Sequence, residues 1–314
     1  MSIAFVFPGQ GAQVIGMGQA LANAYPKSRF VFEEVDEALN FNLSKLIWDG
    51  EIEQLTLTEN AQPALMATSM ASLKAMEEEG IRIETVKFFA GHSLGEYSAL
   101  CAAGALNLAD TAKLLRLRGK SMQKAVPIGV GAMAAILGLN FELVEKIAQK
   151  ASQKQVCQAA NDNDPNQVVI SGNCEAVERA MILAKEKGAK RAIMLPVSAP
   201  FHCELMQPAS DVMAEAFSKV RVEKPSSPII ANYTALPVID PIEIKNLLIK
   251  QITGRVRWRE TINYISQTGV DKIIEIGAGK ALTGMIKRIN RDINCYNIGS
   301  PDDLTKFLST DSEV

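Results

Sequence analysis

The sequence has very little histidine, since His92 and His202 are the only two among 314 residues. Its five cysteines include no CxxC pair and no spacing typical of a metal site. A histidine-rich metal centre is therefore excluded, and an odd number of cysteines is typical of reduced thiols in a cytosol. Any histidine that acts as a general base must be one of these two.

An excess of basic residues is also lacking, because 33 Lys and Arg stand against 35 Asp and Glu, for a net charge of -2. Such a balance argues against nucleic acid as a partner. The longest apolar stretch, near residues 130–139, is about half of a membrane span, and the first residues lack the basic start of a secretion signal. We therefore expect a cytoplasmic protein that binds neither nucleic acid nor membrane.

Short apolar segments alternate with helical patterns along most of the chain. The strands that this pattern predicts are Ile3–Phe7, Val86–Ala90, Ile229–Asn232, Lys272–Ile276 and Asn294–Ile298. Strands that alternate with helices are typical of an α/β fold with a mostly parallel sheet.

Residues 128–197 interrupt this alternation with a pattern of their own. The order strand, helix, strand, strand, helix, strand is that of a ferredoxin-like βαββαβ module. We therefore predict a large α/β-hydrolase-like domain formed by residues 1–127 and 198–314, with a ferredoxin-like subdomain at 128–197 inserted into it. The predicted elements of the insert are strands Ala132–Leu139, Val156–Ala160, Gln167–Ser171 and Lys190–Val197 and helices Phe141–Ser152 and Glu175–Lys187.

A candidate nucleophile, Ser93, lies in the run Gly91-His92-Ser93-Leu94-Gly95, between a buried strand and a helix of small residues. Glycines on both sides of a serine allow a sharp turn that projects the hydroxyl group. The pattern GxSxG is weak alone, and a glycine-rich turn with an incidental serine is the alternative. The strand-turn-helix context favours a nucleophile, which then needs a base and donors for the oxyanion.

His202 is the better candidate for the base. Side chains of adjacent residues diverge on a tight turn, so His92 is badly placed to accept the Ser93 proton, and we expect it to pack against the turn. His202 follows Ser93 by 109 residues (202 − 93), in the loop where the chain re-enters the large domain. Loops at such junctions often carry catalytic side chains.

Arg118 lies on the wrong face of its helix. At about 100° per residue, the other cations of the predicted helix Leu108–Ala125 share one stripe, and Arg118 falls among the apolar residues opposite. An arginine on this face either packs its stem and extends its charged head to solvent or needs a counter-charge, which could be a buried Asp or Glu or the carboxylate of a substrate. A substrate carboxylate would make the substrate a dicarboxylic acyl group.

Taken together, these residues resemble those of the malonyl-CoA:acyl carrier protein transacylases, the malonyltransferases of fatty-acid synthesis. The resemblance runs from end to end and includes Phe7-Pro8-Gly9-Gln10-Gly11, Gly91 to Tyr97, Arg118-Gly119, Gln167 to Gly172, Ser198-Ala199-Pro200-Phe201-His202, Val256-Arg257-Trp258 and Glu275 to Lys280.

The resemblance implies a role for each matching residue of the reaction centre. Ser93 would carry the malonyl ester, and His202 would be general base and then acid. The backbone N–H groups of Gln10 and Leu94 would form the oxyanion hole. A main-chain carbonyl, at the position of Gln251, would orient the histidine in place of a triad acid.

It also implies the substrates and the residues that select them. Arg118 would bind the free malonyl carboxylate, Asn161 would line the cleft, and Leu94 and Phe201 are typical of malonyl-selective members. Malonyl-CoA and acyl carrier protein would be the partners of a monomer that needs no metal or redox cofactor.

Basic residues that could dock an acidic carrier protein are Lys190, Arg191, Lys287 and Arg288.

Two segments depart from the family pattern. Residues 161–166 are more acidic, and Gly254-Arg255 replaces a form that contains proline.

Three other functions remain open from the sequence. An α/β-hydrolase esterase shares GxSxG but needs a triad acid between Ser93 and His202. The run Gly277-Ala278-Gly279-Lys280 resembles part of a phosphate-binding loop, although Ala281 replaces the required Ser or Thr. A non-catalytic scaffold is the third.

Overall fold

The structure, a computed structural model, describes residues 2–197 and 199–310. Ser198, which belongs to the motif around His202 and begins the second predicted segment of the large domain, lies outside the described residues, as do residues 311–314 at the end of that segment. In the described part of the chain, no helix is both long and apolar enough to cross a membrane.

Ten strands and fourteen α-helices are formed by the described residues. The strands are β1 Ile3–Phe7, β2 Phe88–Gly91, β3 Gly131–Leu137, β4 Cys157–Asp164, β5 Gln167–Asn173, β6 Arg191–Met194, β7 Ile229–Ile230, β8 Pro237–Val238, β9 Lys272–Ile276 and β10 Asn294–Ile298. The helices are α1 Gln19–Ala24, α2 Pro26–Leu39, α3 Leu43–Asp49, α4 Ile52–Thr56, α5 Thr58–Glu78, α6 Gly95–Ala102, α7 Leu108–Lys124, α8 Phe141–Ser152, α9 Cys174–Glu186, α10 Gln207–Lys219, α11 Pro241–Thr253, α12 Trp258–Gln267, α13 Ala281–Ile289 and α14 Pro301–Thr310.

The larger sheet has six strands in the order β10-β9-β1-β2-β7-β8. All neighbouring pairs are parallel except β7 and β8, which form a short antiparallel edge. The predicted α/β fold with a mostly parallel sheet is therefore confirmed. The two central strands, β1 and β2, direct their carboxyl ends to one edge, where ligands bind in open α/β sheets.

Both faces of this sheet are buried. Along β1, Phe5 and Phe7 pack into the core beneath α5 and α6, whereas Ala4 and Val6 face the opposite core, which contains Trp258. A strand that is covered on both faces reads as a continuous apolar run, which is why β1 was recognisable from sequence.

A separate antiparallel sheet, β4-β5-β3-β6, is formed between residues 131 and 194. Its elements follow the predicted order strand, helix, strand, strand, helix, strand, and α8 and α9 supply its own apolar core. Several predicted strand ends differ from the structure by one or two residues, and two differ by more: β6 is shorter than 190–197, and β4 continues to Asp164 instead of ending at Ala160.

The acidic segment 161–164 is thus strand, because it pairs with β5 and its two carboxylates find cationic partners. Asp162 is fully buried against Arg259 of α12, and Asp164 pairs with Arg288 of α13 at 2.8 Å. The backbone of β4 also contacts the segment before α12, because Asp162 N donates to the carbonyl oxygen of Val256 at 2.9 Å. Strand β4 therefore links the smaller sheet to α12 and α13, two helices that pack against the larger sheet.

Helix α7 approaches α5 closely at Gly119. A Cβ atom there would lie 2.6 Å from the Cα of Glu59 and from the carbonyl oxygen of Thr58, both backbone atoms of α5. Only glycine allows this approach. The contact directs the neighbouring Arg118 into the space between α5 and the carboxyl edge of the sheet.

We predict that Arg259→Met lowers the free energy of unfolding by about 2–4 kcal/mol, measured by urea denaturation, because it leaves the buried Asp162 carboxylate without its partner. The figure allows for solvent screening of Arg259, whose side chain is 26% exposed. Arg221→Met is the matched control, since Arg221 forms an exposed ion pair with Glu223 and its loss should change little. Equal stability of the two variants would show that the pair between Asp162 of β4 and Arg259 does not stabilise the fold.

Candidate active site

Ser93 lies on a strained turn between β2 and α6. Its φ angle is 54°, in the left-handed region that non-glycine residues rarely adopt. Added Cβ atoms at Gly91 and Gly95 would collide with the backbone of Gly95 and of Phe7 respectively, so both glycines are required by close packing. The turn places the Ser93 hydroxyl group at the amino end of α6, where the helix dipole favours negative charge.

The structure brings Ser93, His202 and Gln251 into one chain of hydrogen bonds. The Ser93 Oγ lies 2.8 Å from His202 Nε2, and His202 Nδ1 lies 2.8 Å from the carbonyl oxygen of Gln251. A carbonyl oxygen only accepts, so Nδ1 carries the proton and Nε2 is free to accept from the serine. Among the described residues, the orienting group is thus a main-chain carbonyl near the end of α11.

Burial favours the neutral form of both histidines. It lowers the pKa of His202 to about 3; the positive charge of Arg118 acts in the same direction, and the hydrogen bond to Gln251 opposes it. Burial also lowers the pKa of His92. A neutral imidazole is the form that can accept a proton.

His92 points away from Ser93. Its Nε2 lies 2.9 Å from Asn163 Oδ1 of β4, and its ring packs edge-on against Trp258. The side chain therefore links the turn that carries Ser93 to the smaller sheet.

Arg118 is buried, with 1% of its surface exposed, and is held by neutral oxygens. Its Nη1 donates to Gln62 Oε1 at 2.7 Å, and its Nη2 donates to Gln251 Oε1 at 2.8 Å and to Ser93 Oγ at 3.1 Å. Its Nε has no acceptor among the described residues. Burial lowers its pKa while Tyr97 and Glu96 oppose that shift, and a guanidinium group stays charged in proteins.

The sequence reasoning missed Gln62, which holds Arg118, and two further residues that fix the Ser93 turn and Gln251. The Asn232 side chain accepts from Ser93 N at 2.7 Å and donates to the carbonyl oxygen of Gly91 at 2.6 Å, which clamps the turn. Glu96, 2% exposed, accepts from Asn232 N at 3.1 Å and from Gln251 Nε2 at 2.8 Å. Glu96 could have been found from the sequence, because a carboxylate stands out in a helix of small residues three positions after Ser93. No sequence pattern indicates that Asn232 contacts the turn.

The positions expected to form an oxyanion hole lie beside Ser93. Gln10 follows β1 and Leu94 begins the turn into α6, and both line the same cleft as the Ser93 hydroxyl group. Within the described chain, neither backbone N–H donates to another protein group. The loop that carries Gln10 is packed tightly, because a Cβ at Gly9 would lie 2.8 Å from the carbonyl oxygen of His92.

A cleft of about 500 Å³ opens above these groups, between the two sheets. Its walls also include Asn161 and Asn163 of β4, Phe201 and the start of α13. Among residues 2–197 and 199–310, no group of three or more His, Cys, Asp or Glu side chains could hold a metal ion.

The glycine-rich run 277–280 forms the turn between β9 and α13. The carboxylate of Glu275 accepts from the backbone N–H groups of Leu282 and Thr283, at 3.1 and 2.7 Å, and from the Thr283 hydroxyl group. A phosphate would need those same donors. The structure therefore gives no support to a nucleotide site here.

Fold and site together define an α/β protein whose serine and neutral histidine share a cleft with an arginine held by uncharged groups. The acyl transferase domain family matches residues 4–298. A malonyl CoA-acyl carrier protein transacylase of Bacillus subtilis (strain 168) is 47% identical over 309 residues, which cover 98% of this chain and 96% of the relative.

Solved structures agree with this relationship. An acyl-carrier-protein-S-malonyltransferase from Bartonella henselae is 53% identical, with a TM-score of 0.96 and 99% of each chain covered. A malonyl-transacylase in complex with its type II PKS acyl-carrier protein is 40% identical, with a TM-score of 0.96 and coverage of 99% of this chain and 100% of that one. The chain belongs to the acyl transferase domain family, and its resemblance to the malonyl-CoA:acyl carrier protein transacylases is confirmed.

We predict that neither histidine titrates in its usual range. Because burial lowers the pKa of His202 to about 3, its neutral ring should persist as the pH falls from 8 to 5.5, where an ordinary histidine gains a proton. Burial also lowers the pKa of His92, so its midpoint should lie below that of an ordinary histidine. With only His92 and His202 present, the NMR titration of ring protons is unambiguous, and a His92→Asn variant assigns the signals. A midpoint near 6.5 for His202 would show that its ring is not desolvated.

Proposed function

We propose that the protein transfers a malonyl group from malonyl-CoA to the phosphopantetheine thiol of an acyl carrier protein, through an ester on Ser93. One observation carries the proposal: the Ser93 Oγ lies 2.8 Å from His202 Nε2 and 3.1 Å from Arg118 Nη2. A nucleophile, its base and a site for an anion thus meet at one atom.

In the first half-reaction, Ser93 attacks the thioester carbonyl of malonyl-CoA while His202 Nε2 accepts the hydroxyl proton. The resulting imidazolium is stabilised by the carbonyl oxygen of Gln251 at Nδ1. When the tetrahedral intermediate collapses, the bond to sulfur breaks, and the proton on Nε2 passes to the leaving CoA thiolate. A positioned base of this kind contributes roughly 10²–10⁴ in rate.

The negative charge that develops on the carbonyl oxygen would be accepted by the backbone N–H groups of Gln10 and Leu94. They suit this role because they line the cleft beside Ser93 and are not used within the described chain. Such donors are preorganised, so they need no reorientation as the charge develops.

Arg118 would select the acyl group by pairing with the free malonyl carboxylate. Malonate has one methylene between its two carbonyl carbons, so its carboxylate and its thioester can both lie beside Ser93. Leu94 and Phe201 line the cleft and would disfavour an α-methyl branch, although one methyl group is worth only about 1–3 kcal/mol of discrimination.

In the second half-reaction, the carrier thiol attacks the malonyl ester with His202 again accepting the proton. The solved complex between a similar malonyl-transacylase and its acyl-carrier protein supports such a partner. The exposed cations Lys190, Arg191 and Lys287 are candidates for docking an acidic carrier. Arg288 suits that role less, because it already pairs with Asp164.

The arrangement of two sheets supports a matching division of the chain. Residues 1–127 and 198–314 would form a large α/β-hydrolase-like domain, and residues 128–197 a ferredoxin-like subdomain, whose sheet order β4-β5-β3-β6 fits that fold. The reaction would take place in the cytoplasm and would need no metal or redox cofactor. An esterase of the α/β-hydrolase type is disfavoured, because His202 Nδ1 bonds to a main-chain carbonyl and not to a carboxylate.

We predict that exposure to malonyl-CoA adds the mass of one malonyl group to the intact protein, and that Ser93→Ala abolishes this addition. Ser98→Ala is the matched control, since Ser98 is a buried serine of the following helix that has no hydrogen-bond partner among the described residues. Holo acyl carrier protein should then remove the added mass and gain it. Absence of the adduct would favour a scaffold, and rapid release of free malonate without an acceptor would favour a hydrolase.

A further inference from the structure

We propose that Glu96 is a positioning residue that fixes the side-chain amide of Gln251 and, through it, directs Arg118 at the substrate carboxylate. The inference rests on the proposed function, because it assigns the orientation of the group that would select malonyl. It gives the Gln251 side chain a role that is separate from that of its main-chain carbonyl.

Glu96 contacts the reaction centre only through other residues. Its Oε2 accepts two hydrogen bonds, from Asn232 N at 3.1 Å and from Gln251 Nε2 at 2.8 Å. Neither the Ser93 hydroxyl group nor the Arg118 guanidinium is hydrogen-bonded to it in the described structure. Because the buried carboxyl group of Glu96 accepts a hydrogen bond from the amide of Gln251, it is placed to orient that amide.

The two ends of the Gln251 amide have opposite requirements. Its Nε2 donates to Glu96 and, at 2.9 Å, to the carbonyl oxygen of Ser93, while its Oε1 accepts from Arg118 Nη2 at 2.8 Å. An inverted amide would direct its N–H groups at the guanidinium donors and its oxygen at two acceptors. Glu96 and the Ser93 carbonyl therefore select the one orientation in which Gln251 can hold Arg118.

This selection does not depend on the ionisation of Glu96. Burial raises the pKa of its carboxyl group to about 7, with hydrogen bonds from Gln251 and Asn232 opposing that shift. In the neutral form the proton belongs on Oε1, because Oε2 already accepts two N–H groups. Both forms thus present an acceptor to Gln251.

The contact with Gln251 fixes the direction in which the Arg118 guanidinium group points. Its Nη2 is shared between Gln251 Oε1 and Ser93 Oγ, and its Nη1 is fixed by Gln62. Loss of the Gln251 contact leaves the end of the guanidinium nearest Ser93 without its second acceptor. The group can then turn away from the place where a malonyl carboxylate would lie, while His202 and Ser93 keep their own hydrogen bonds.

The test compares Glu96→Leu, which removes the acceptor at similar volume, with Glu96→Gln, which retains one. The readout is the ratio of kcat/KM for acylation of Ser93 by malonyl-CoA and by acetyl-CoA. We expect Glu96→Leu to lower this ratio by roughly tenfold, mainly through a higher KM for malonyl-CoA, and Glu96→Gln to restore most of it. Glu96→Asp, whose shorter side chain withdraws the acceptor, should resemble Glu96→Leu and serves if the latter does not fold.

The outcomes separate this inference from the proposed function. A wild-type protein without a preference for malonyl-CoA would contradict the proposed function itself. With that preference present, an unchanged ratio in both Glu96→Leu and Glu96→Asp would overturn the positioning role. A loss of both activities in equal proportion, which Glu96→Gln does not reverse, would show a role in stability only and would overturn it as well.

Discussion

A buried guanidinium group without a directly bonded acid is the constraint on which the rest of this site depends. Arg118 is 1% exposed, and the hydrogen bonds that hold it end on neutral oxygens of Gln62, Gln251 and Ser93. Burial of a cation without a bonded acid is costly unless its donors find acceptors. Three separate parts of the chain accept from its two Nη groups, namely α5, the end of α11 and the turn after β2, whereas Nε has no acceptor among the described residues.

That constraint offers a physical reason for the way His202 is oriented. A triad carboxylate at this position would lie near Arg118 and compete with an anionic substrate for it. The main-chain carbonyl of Gln251 orients the ring without adding charge, and the positive charge of Arg118 helps to keep the ring neutral. One residue thus connects the two functions, since its carbonyl oxygen orients the base and its side chain holds the arginine.

The sequence predicted those features that depend on local pattern. The parallel strands followed from continuous apolar runs, the burial of Arg118 from helical periodicity, and the pairing of Ser93 with His202 from the scarcity of histidine. Features that depend on contacts between distant segments were missed. Asn232 reaches the turn across 139 residues, and the carboxylates at the end of β4 find partners in Arg259 and Arg288, which come from helices about a hundred residues further along the chain. The periodicity of a segment does not indicate which distant segment it contacts, so the sequence could not predict these contacts.

The central claim is that Arg118 recognises the carboxylate of the acyl group, and replacement of that side chain tests it most directly. In Arg118→Ala, the ratio of kcat/KM for malonyl-CoA and acetyl-CoA should fall roughly tenfold to a hundredfold, the worth of a charge-assisted hydrogen bond. Arg116→Ala is the control, since Arg116 stacks on Phe41 and lies on the other face of the same helix. An unchanged ratio in Arg118→Ala would contradict the account.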